Sequence, residues 1–362
     1  MHVAVVIPCL NEEAGVRATA MSLAGETDRL PSATDLILVD NGSTDATWDV
    51  LGDLVARGEG RIHRVRERER GFVPPRHRGV LHAARLARRR GLSAGDVLIL
   101  QGDADTNYLP GYVERMRAAA GANVLLEGSI GRTNAGDSRL AAFRALELKV
   151  DQVLRPYEVE DAHETLVDDK ACGYRLVDYQ RWGGLQREYA ADGSELHAET
   201  TRLFLRARAM TGAARRRVES AGALTSPRRI LEDPALYFCT AGYPRERGWI
   251  ARFRQAVAAD HGPSVRLGAA VSHANRAAIR YRIGHTLVLF WVLPRLAARL
   301  LDDPAGAQAN SVDLGLQDFS RGDFAERPGW VLTRLLEMIE PADTPLGRLL
   351  DRHADEAVCA LG

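Results

Sequence analysis

Across the first 130 residues, short aliphatic runs alternate with stretches of helical periodicity, a pattern that few architectures accommodate. Strands are predicted at Val3–Ile7, Asp35–Asp40, Arg61–Val65, Val97–Leu100 and Val124–Glu127. Helices are predicted between them, around Glu12–Leu23, Ala46–Ala56, Arg78–Arg90 and Tyr112–Ala120. Strands alternating with helices of this length form βαβ units, so the expected fold class is α/β: a mainly parallel, Rossmann-like sheet with helices on both faces. Ligands of such sheets bind beyond the carboxyl ends of the strands. The loops there read PCLNEE (Pro8–Glu13), DNGSTD (Asp40–Asp45), ERERGFVPPRHRG (Glu67–Gly79) and GDADTNY (Gly102–Tyr108). Polar residues and residues of special geometry therefore collect on one edge of the sheet.

Beyond residue 130 the alternation fades. Arg139–Leu154 has helical periodicity, Glu158–Asp169 reads as an exposed acidic loop, and Cys172–Asp178 reads as a strand running into RWGG. Glu195–Met210 reads as an amphipathic helix, and from about Arg245 the pattern is mostly helical. No repeat or linker marks a boundary.

Composition excludes several classes. At 362 residues, 46% hydrophobic and 27% charged, the chain is neither disordered nor of low complexity. A net charge of zero gives no case for nucleic acid as a partner. Four scattered cysteines without metal-binding spacing read as free thiols of a reducing compartment. The N-terminal segment lacks the features of a signal peptide, and a cytoplasmic location is expected. The apolar run Thr286–Leu293 has eight residues, too few to span a bilayer. It leaves a core helix, a homodimer contact through the C-terminal helices, or peripheral contact with a membrane surface.

Charge is unevenly spread. Residues 61–90 hold 11 arginines against only Glu67 and Glu69, and Lys149 and Lys170 are the only lysines in the chain. Codon bias of a GC-rich genome accounts for most of this arginine. Arg76 and Arg78, expected in the loop ahead of the third helix, suit phosphate contact, because a guanidinium is a rigid fork of donors.

Asp103 and Asp105 sit two apart at the end of a buried strand, where paired carboxylates repel unless a cation lies between them. Mg²⁺ or Mn²⁺ takes such a pair and completes its shell with phosphate oxygens and water. A solvated turn with an aspartate capping the next helix is the plainer alternative. Asp40 ends an apolar strand and faces the same crevice. PCLNEE is not a dinucleotide fingerprint, and the chain has no P-loop.

Together, VVIPCLNEE, LILVDNGSTDAT, PRHRG and DVLILQGDADTNYLPGYVERM resemble glycosyltransferase family 2 of the GT-A fold over roughly residues 1–120, with a looser match to about residue 230. The resemblance implies a nucleoside-diphosphate sugar donor, a hydroxyl-bearing acceptor of unknown identity, and a divalent metal on the diphosphate. It places Pro8, Leu10 and Glu12 around the nucleoside and Asp40 on the base. Asp103 would lie near the ribose and metal, and Asp105 would ligate the metal. Arg76, Arg78 and Arg228 are the candidates for the phosphates, with Arg229 beside them. Inverting members carry a carboxylate base in an E-D pair on a later helix; AETTRL offers Glu199 but has Thr200 in the second place. Asp192 and Glu195 are fallback bases, and His273 is a candidate extra metal ligand. The expected organisation is a catalytic domain over 1–240, with a nucleotide-sugar half (1–130) and an acceptor half (131–240), then a helical region over 241–362. A nucleotidyltransferase of related fold and a non-catalytic nucleotide-sugar-binding protein are the rival functions.

Overall fold

The computed structural model describes residues 1–24, 29–133, 136–160, 163–259, 262–302, 316–340 and 344–361. Packing divides the chain into two compact units that interleave along the sequence, where the sequence had suggested a single boundary near 240. The first comprises Met1–Thr133, Val167–Arg187 and Ala198–Ser226; the second comprises Asn134–Leu166, Glu188–His197 and Pro227–Gly362.

The first unit is built on eight strands: β1 (His2–Cys9), β2 (Thr34–Asp40), β3 (Ile62–Arg66), β4 (Val97–Gly102), β5 (Thr106–Tyr108), β6 (Val124–Arg132), β7 (Ala171–Arg175) and β8 (Ala214–Thr225). Their order is β3-β2-β1-β4-β7-β6-β8-β5. The first four are parallel, as the βαβ pattern requires. The sheet is mainly parallel, as expected: β6 and β8 pair in parallel, and the reversed strands are β7, antiparallel to both β4 and β6, and β5, antiparallel to β8. The outcome is a mixed eight-stranded sheet.

Helices cover both faces, and the side-chain alternation of β1 shows why. Val3, Val5 and Ile7 pack on one side against Val16, Ala20, Leu51 and Met116. Ala4 and Val6 pack on the other against Val80, Ala83, Tyr174 and Leu203. A strand buried on both faces must be apolar throughout, which is why VAVVI signals so clearly.

The third helix spans Val73–Arg89 rather than starting near Arg78. Pro74 and Pro75 occupy its first turn, where a missing N–H costs nothing. Two residues read as loop, Arg76 and Arg78, are therefore helical. Gly79 lets this helix approach β1: a Cβ there would collide with Val6 Cγ1 and lie 3.2 Å from Val39 Cγ2. Gly79→Ala is expected to cost about 1–3 kcal/mol by overpacking, despite alanine's better helix propensity. Urea denaturation measures it; a variant as stable as the parent would refute the close packing.

The second unit is mostly helical, with long elements at Ser138–Asp151, Arg247–Ala258, Arg276–Leu287 and Pro345–Leu361. The apolar run Thr286–Leu293 is part of one helical stretch, Arg276–Asp302, long and apolar enough by length and composition to cross a membrane. The eight-residue estimate was thus too short, because π-helical turns at Val288–Val292 and Ala298–Asp302 carry the helix past Pro294. Yet 61% of its apolar window is buried inside the fold. Two of its polar residues are held there by hydrogen bonds. Arg282 grips Asp151 with two hydrogen bonds of 2.7 and 2.6 Å, and Arg245 donates to His285 Nε2 at 2.8 Å. Burial first, then the Arg245 charge, holds His285 down to about 3. Most of this stretch thus serves as core.

Candidate active site

The first two carboxyl-edge loops are laced together by short polar side chains. Asn11, at φ +56°, accepts from Thr44 N at 2.8 Å while its own N–H donates to Ser43 Oγ at 3.0 Å. Glu12 N donates to Thr47 Oγ1 at 2.8 Å, and Glu13 Oε2 accepts from Ala46 N at 2.8 Å. Asp45 accepts from Thr47 N at 3.0 Å, so it orders the start of the helix Thr47–Arg57. Asp40 is buried and accepts from Ser43 N at 3.2 Å, with Arg66 Nε 4.0 Å from its other oxygen. Pro8, next to last in β1, pairs in register with Val39, whereas Leu10 lies exposed just beyond the strand. Asn41 ties in the third loop: its amide donates to Glu69 O at 2.8 Å, and its carbonyl accepts from Gly71 N at 3.2 Å.

Arg76 is the centre of the site, in a role the sequence did not suggest. It is buried, and its guanidinium meets three carboxylates from three parts of the chain. Nε donates to Glu199 Oε1 at 2.8 Å, and Nη2 donates to Asp103 Oδ1 at 2.6 Å and Asp169 Oδ2 at 2.8 Å. Nη1 adds Gly102 O at 3.1 Å. A buried guanidinium facing this many acids stays charged, and burial is outweighed by Asp169, Asp103 and Glu199. Arg76 is therefore a counter-ion to the acidic cluster, and its expected phosphate role gives way to this one.

The sheet assembles this cluster. Antiparallel pairing of β4 with β7 sets Gly102 opposite Ala171, so Asp103 and Asp169 emerge side by side. Gly102 leaves room for the Tyr108 hydroxyl, which donates to Lys170 O at 2.9 Å. Glu127 accepts from Asp168 N at 2.7 Å and fixes the start of the Asp168–Lys170 segment. Lys170 Nζ lies 2.9 Å from Asp168 Oδ1 and 3.9 Å from Asp169 Oδ1. Four carboxylates (Asp103, Asp168, Asp169, Glu199) thus gather around Arg76 and Lys170, with the Arg202 charge also acting on Glu199.

The three acids on Arg76 differ in access. The Asp169 side chain is 29% exposed and that of Asp103 is 19% exposed, whereas Glu199 is at 5%. Burial raises the Glu199 carboxyl, Arg76 pulls it back, and Asp169 pushes it up again. The helix expected at Glu195–Met210 runs from Glu199 to Thr211, and every residue from Glu199 to Ala209 is buried. Glu199 is thus inside the fold rather than at the rim of an amphipathic stripe. Asp169 and Lys170 escaped the sequence reading because an acidic stretch without apolar periodicity looks like solvated loop.

Other expected residues fall elsewhere. Asp105 is half-buried in the turn after Asp103, and its carbonyl accepts from Ser226 N at 3.2 Å. Arg78 follows Arg76 by two residues, about 200° around the helix, so the pair cannot grip one ligand. Arg228 and Arg229 are exposed at the start of a five-residue helix of the second unit. His273 is exposed in the same unit. The Glu188–His197 segment with Asp192 and Glu195 also belongs to the second unit; Asp192 is exposed and accepts from Gly248 N at 2.8 Å. Cys9 is buried beneath the edge, and burial first, then Glu12, Asp40 and Asp103, raise its thiol, so it is no nucleophile.

Among the described residues no three His, Cys, Asp or Glu side chains form a ready-made metal cage. The partly exposed carboxylates of Asp103 and Asp105, beside the acidic cluster, nonetheless fit a hard divalent cation that draws its other ligands from phosphate and water.

Known proteins were compared with the chain. No curated protein matches it. Among solved structures, Staphylococcus aureus TarS is 15% identical with a TM-score of 0.40, covering 72% of this chain and 43% of that one. The chain thus spans less than half of that protein. TarS 1–349 in complex with UDP-GlcNAc is 15% identical, covers 99% and 89% of the two chains, and has a TM-score of 0.46. The mannosyltransferase PcManGT from Pyrobaculum calidifontis, in complex with GDP-Man and Mn²⁺, is 15% identical, covers 99% and 86%, and has a TM-score of 0.43. The family model that matches is Glycosyl transferase family 2, over residues 4–126. That span of similarity carries the β1, β2 and β4 loops.

Proposed function

We propose that the protein transfers a glycosyl unit from a nucleoside-diphosphate sugar to a hydroxyl-bearing acceptor, with inversion at the anomeric carbon. The observation that carries this reading is the joining of the family 2 loops to one acidic cluster at the carboxyl edge, organised by Arg76. Pro8, Leu10, Glu12 and Asp40 line the nucleoside end. Asp103 and Asp105 would hold Mg²⁺ or Mn²⁺, which supplies Lewis-acid stabilisation of the departing diphosphate.

Inversion needs one in-line displacement. The acceptor oxygen bonds to the anomeric carbon as the carbon–oxygen bond to the diphosphate breaks, and the hydroxyl proton passes to a carboxylate. Asp169 is assigned that carboxylate. It is the most open of the three acids on Arg76, whereas Glu199, the base suggested by resemblance, is enclosed and ion-paired. Glu199 then acts through Arg76, as a positioning residue.

A thermal-shift panel of nucleoside diphosphates and their sugars, with and without Mn²⁺, tests the reading. At least one nucleotide is expected to stabilise the protein only with metal, by about 2.7 kcal/mol at a hundredfold excess over its Kd. No response across the panel would overturn the proposal.

A further inference from the structure

Away from the carboxyl edge, the solvent side of the Val73–Arg89 helix carries arginines without acidic partners on its own element. From Arg70 to Gly95 the sequence contains no acidic residue. Arg78, His82, Arg85 and Arg89 are spaced by four, three and four, and therefore share one face. Leu81 and Arg88 lie beside them. Arg85, Arg88 and Arg89 are exposed, and none of them has an ion-pair partner among the described residues. The contrast with Arg90 is direct, since its guanidinium donates to Asp35 Oδ1 at 3.0 Å. The edge strand β3 widens the patch with His63, whose ring lies 5.4 Å from that of His82. Burial first, then the charges of His63, Arg85, Arg78 and Arg89, hold His82 down to about 4. Helix-dipole complementarity accounts for Arg88 and Arg89 in the last turn but not for Arg78 and Arg85.

We propose that this face docks the first unit onto an anionic lipid bilayer. A helix of 17 residues, about 25 Å long, presents its uncompensated cations as a line that a flat negative surface can meet at once. Leu81 is 40% exposed, one turn from both Arg78 and Arg85. An apolar side chain among cations inserts at a headgroup boundary, whereas a nucleic acid offers it nothing. The face also lacks the aromatic platforms and amide side chains with which proteins stack on or read bases. The docking face lies apart from the acidic cluster, so it stands whether or not the chain transfers sugar.

Co-sedimentation of the full chain with vesicles tests this, using phosphatidylcholine alone or with roughly one-third phosphatidylglycerol at about 0.1 M salt. Binding is expected only to the anionic vesicles, with release as salt rises. Each arginine near such a surface contributes roughly a fivefold gain, so R85Q/R88Q/R89Q is expected to weaken binding by about a hundredfold. Leu81→Asp, a separate variant in case the triple change disturbs folding, is expected to weaken binding at unchanged Tm. Failure of the parent protein to bind the anionic vesicles would overturn the proposal. So would equal binding by both variants, or a stronger preference of the parent for duplex DNA over vesicles.

Discussion

Asp169→Asn is expected to lower sugar transfer by about 10²–10⁴-fold, the range typical for loss of a general base. Asparagine preserves the size of the side chain and can still accept from Arg76, but it cannot take the acceptor proton. Donor and metal binding, measured by the thermal shift, should survive, which separates a failed base from a failed donor site. The acidic limb of the pH–rate profile should vanish with the carboxylate. Glu199→Gln should leave that limb in place and reduce transfer less, because Glu199 meets only Arg76 among the groups of the site described above. Release of nucleoside diphosphate from the donor found in the panel provides the rate. If Asp169→Asn kept more than a tenth of the activity while Glu199→Gln abolished it, the base would return to Glu199.

Arg76→Met is expected to destabilise the first unit by about 3–5 kcal/mol, the cost of leaving buried charge without its partner. Methionine matches much of the volume, so the loss reports on charge rather than on a cavity. Asp103, Asp169 and Glu199 would then face one another without the guanidinium between them. Their folded-state pKa values would rise above the unfolded ones, so the variant should regain stability as pH falls toward 5 and the carboxylates take up protons. Urea denaturation at pH 7 and pH 5 measures both effects. A loss under 1 kcal/mol at pH 7 would mean that the guanidinium is not what holds the acids together.

Much of the first unit was legible because its strands are buried on both faces. A doubly buried strand must be apolar at every position, and β1, β2 and β4 announce themselves for that reason. β8 gave no such signal. Its first half, Ala214–Ser220, lies mostly exposed, since the three-residue β5 pairs only with Ala223–Thr225. Strand edges without a partner carry charge, and ARRRVES therefore reads as anything but a strand. The start of the third helix was hidden by Pro74 and Pro75, which look like breakers yet are tolerated in a first turn. The two reversed strands, β5 and β7, were not legible as such, because strand direction there depends on connections that leave no periodic trace.

The same division runs through the site. By itself the sequence determined the four parallel strands and the chemistry of the loops at their carboxyl ends, because hydrophobic periodicity and turn residues act over a few positions. Only the tertiary structure decided what those residues do to one another. Arg76 meets Asp103, Asp169 and Glu199 across separations of 27, 93 and 123 residues. Their meeting depends on the antiparallel seat of β7 beside β4, and on a buried helix that starts at Glu199. In sequence, Arg76 is one arginine in a basic stretch and Asp169 one acid in an acidic stretch; desolvation in the fold makes them a cluster, because opposite charges must pair where water is excluded.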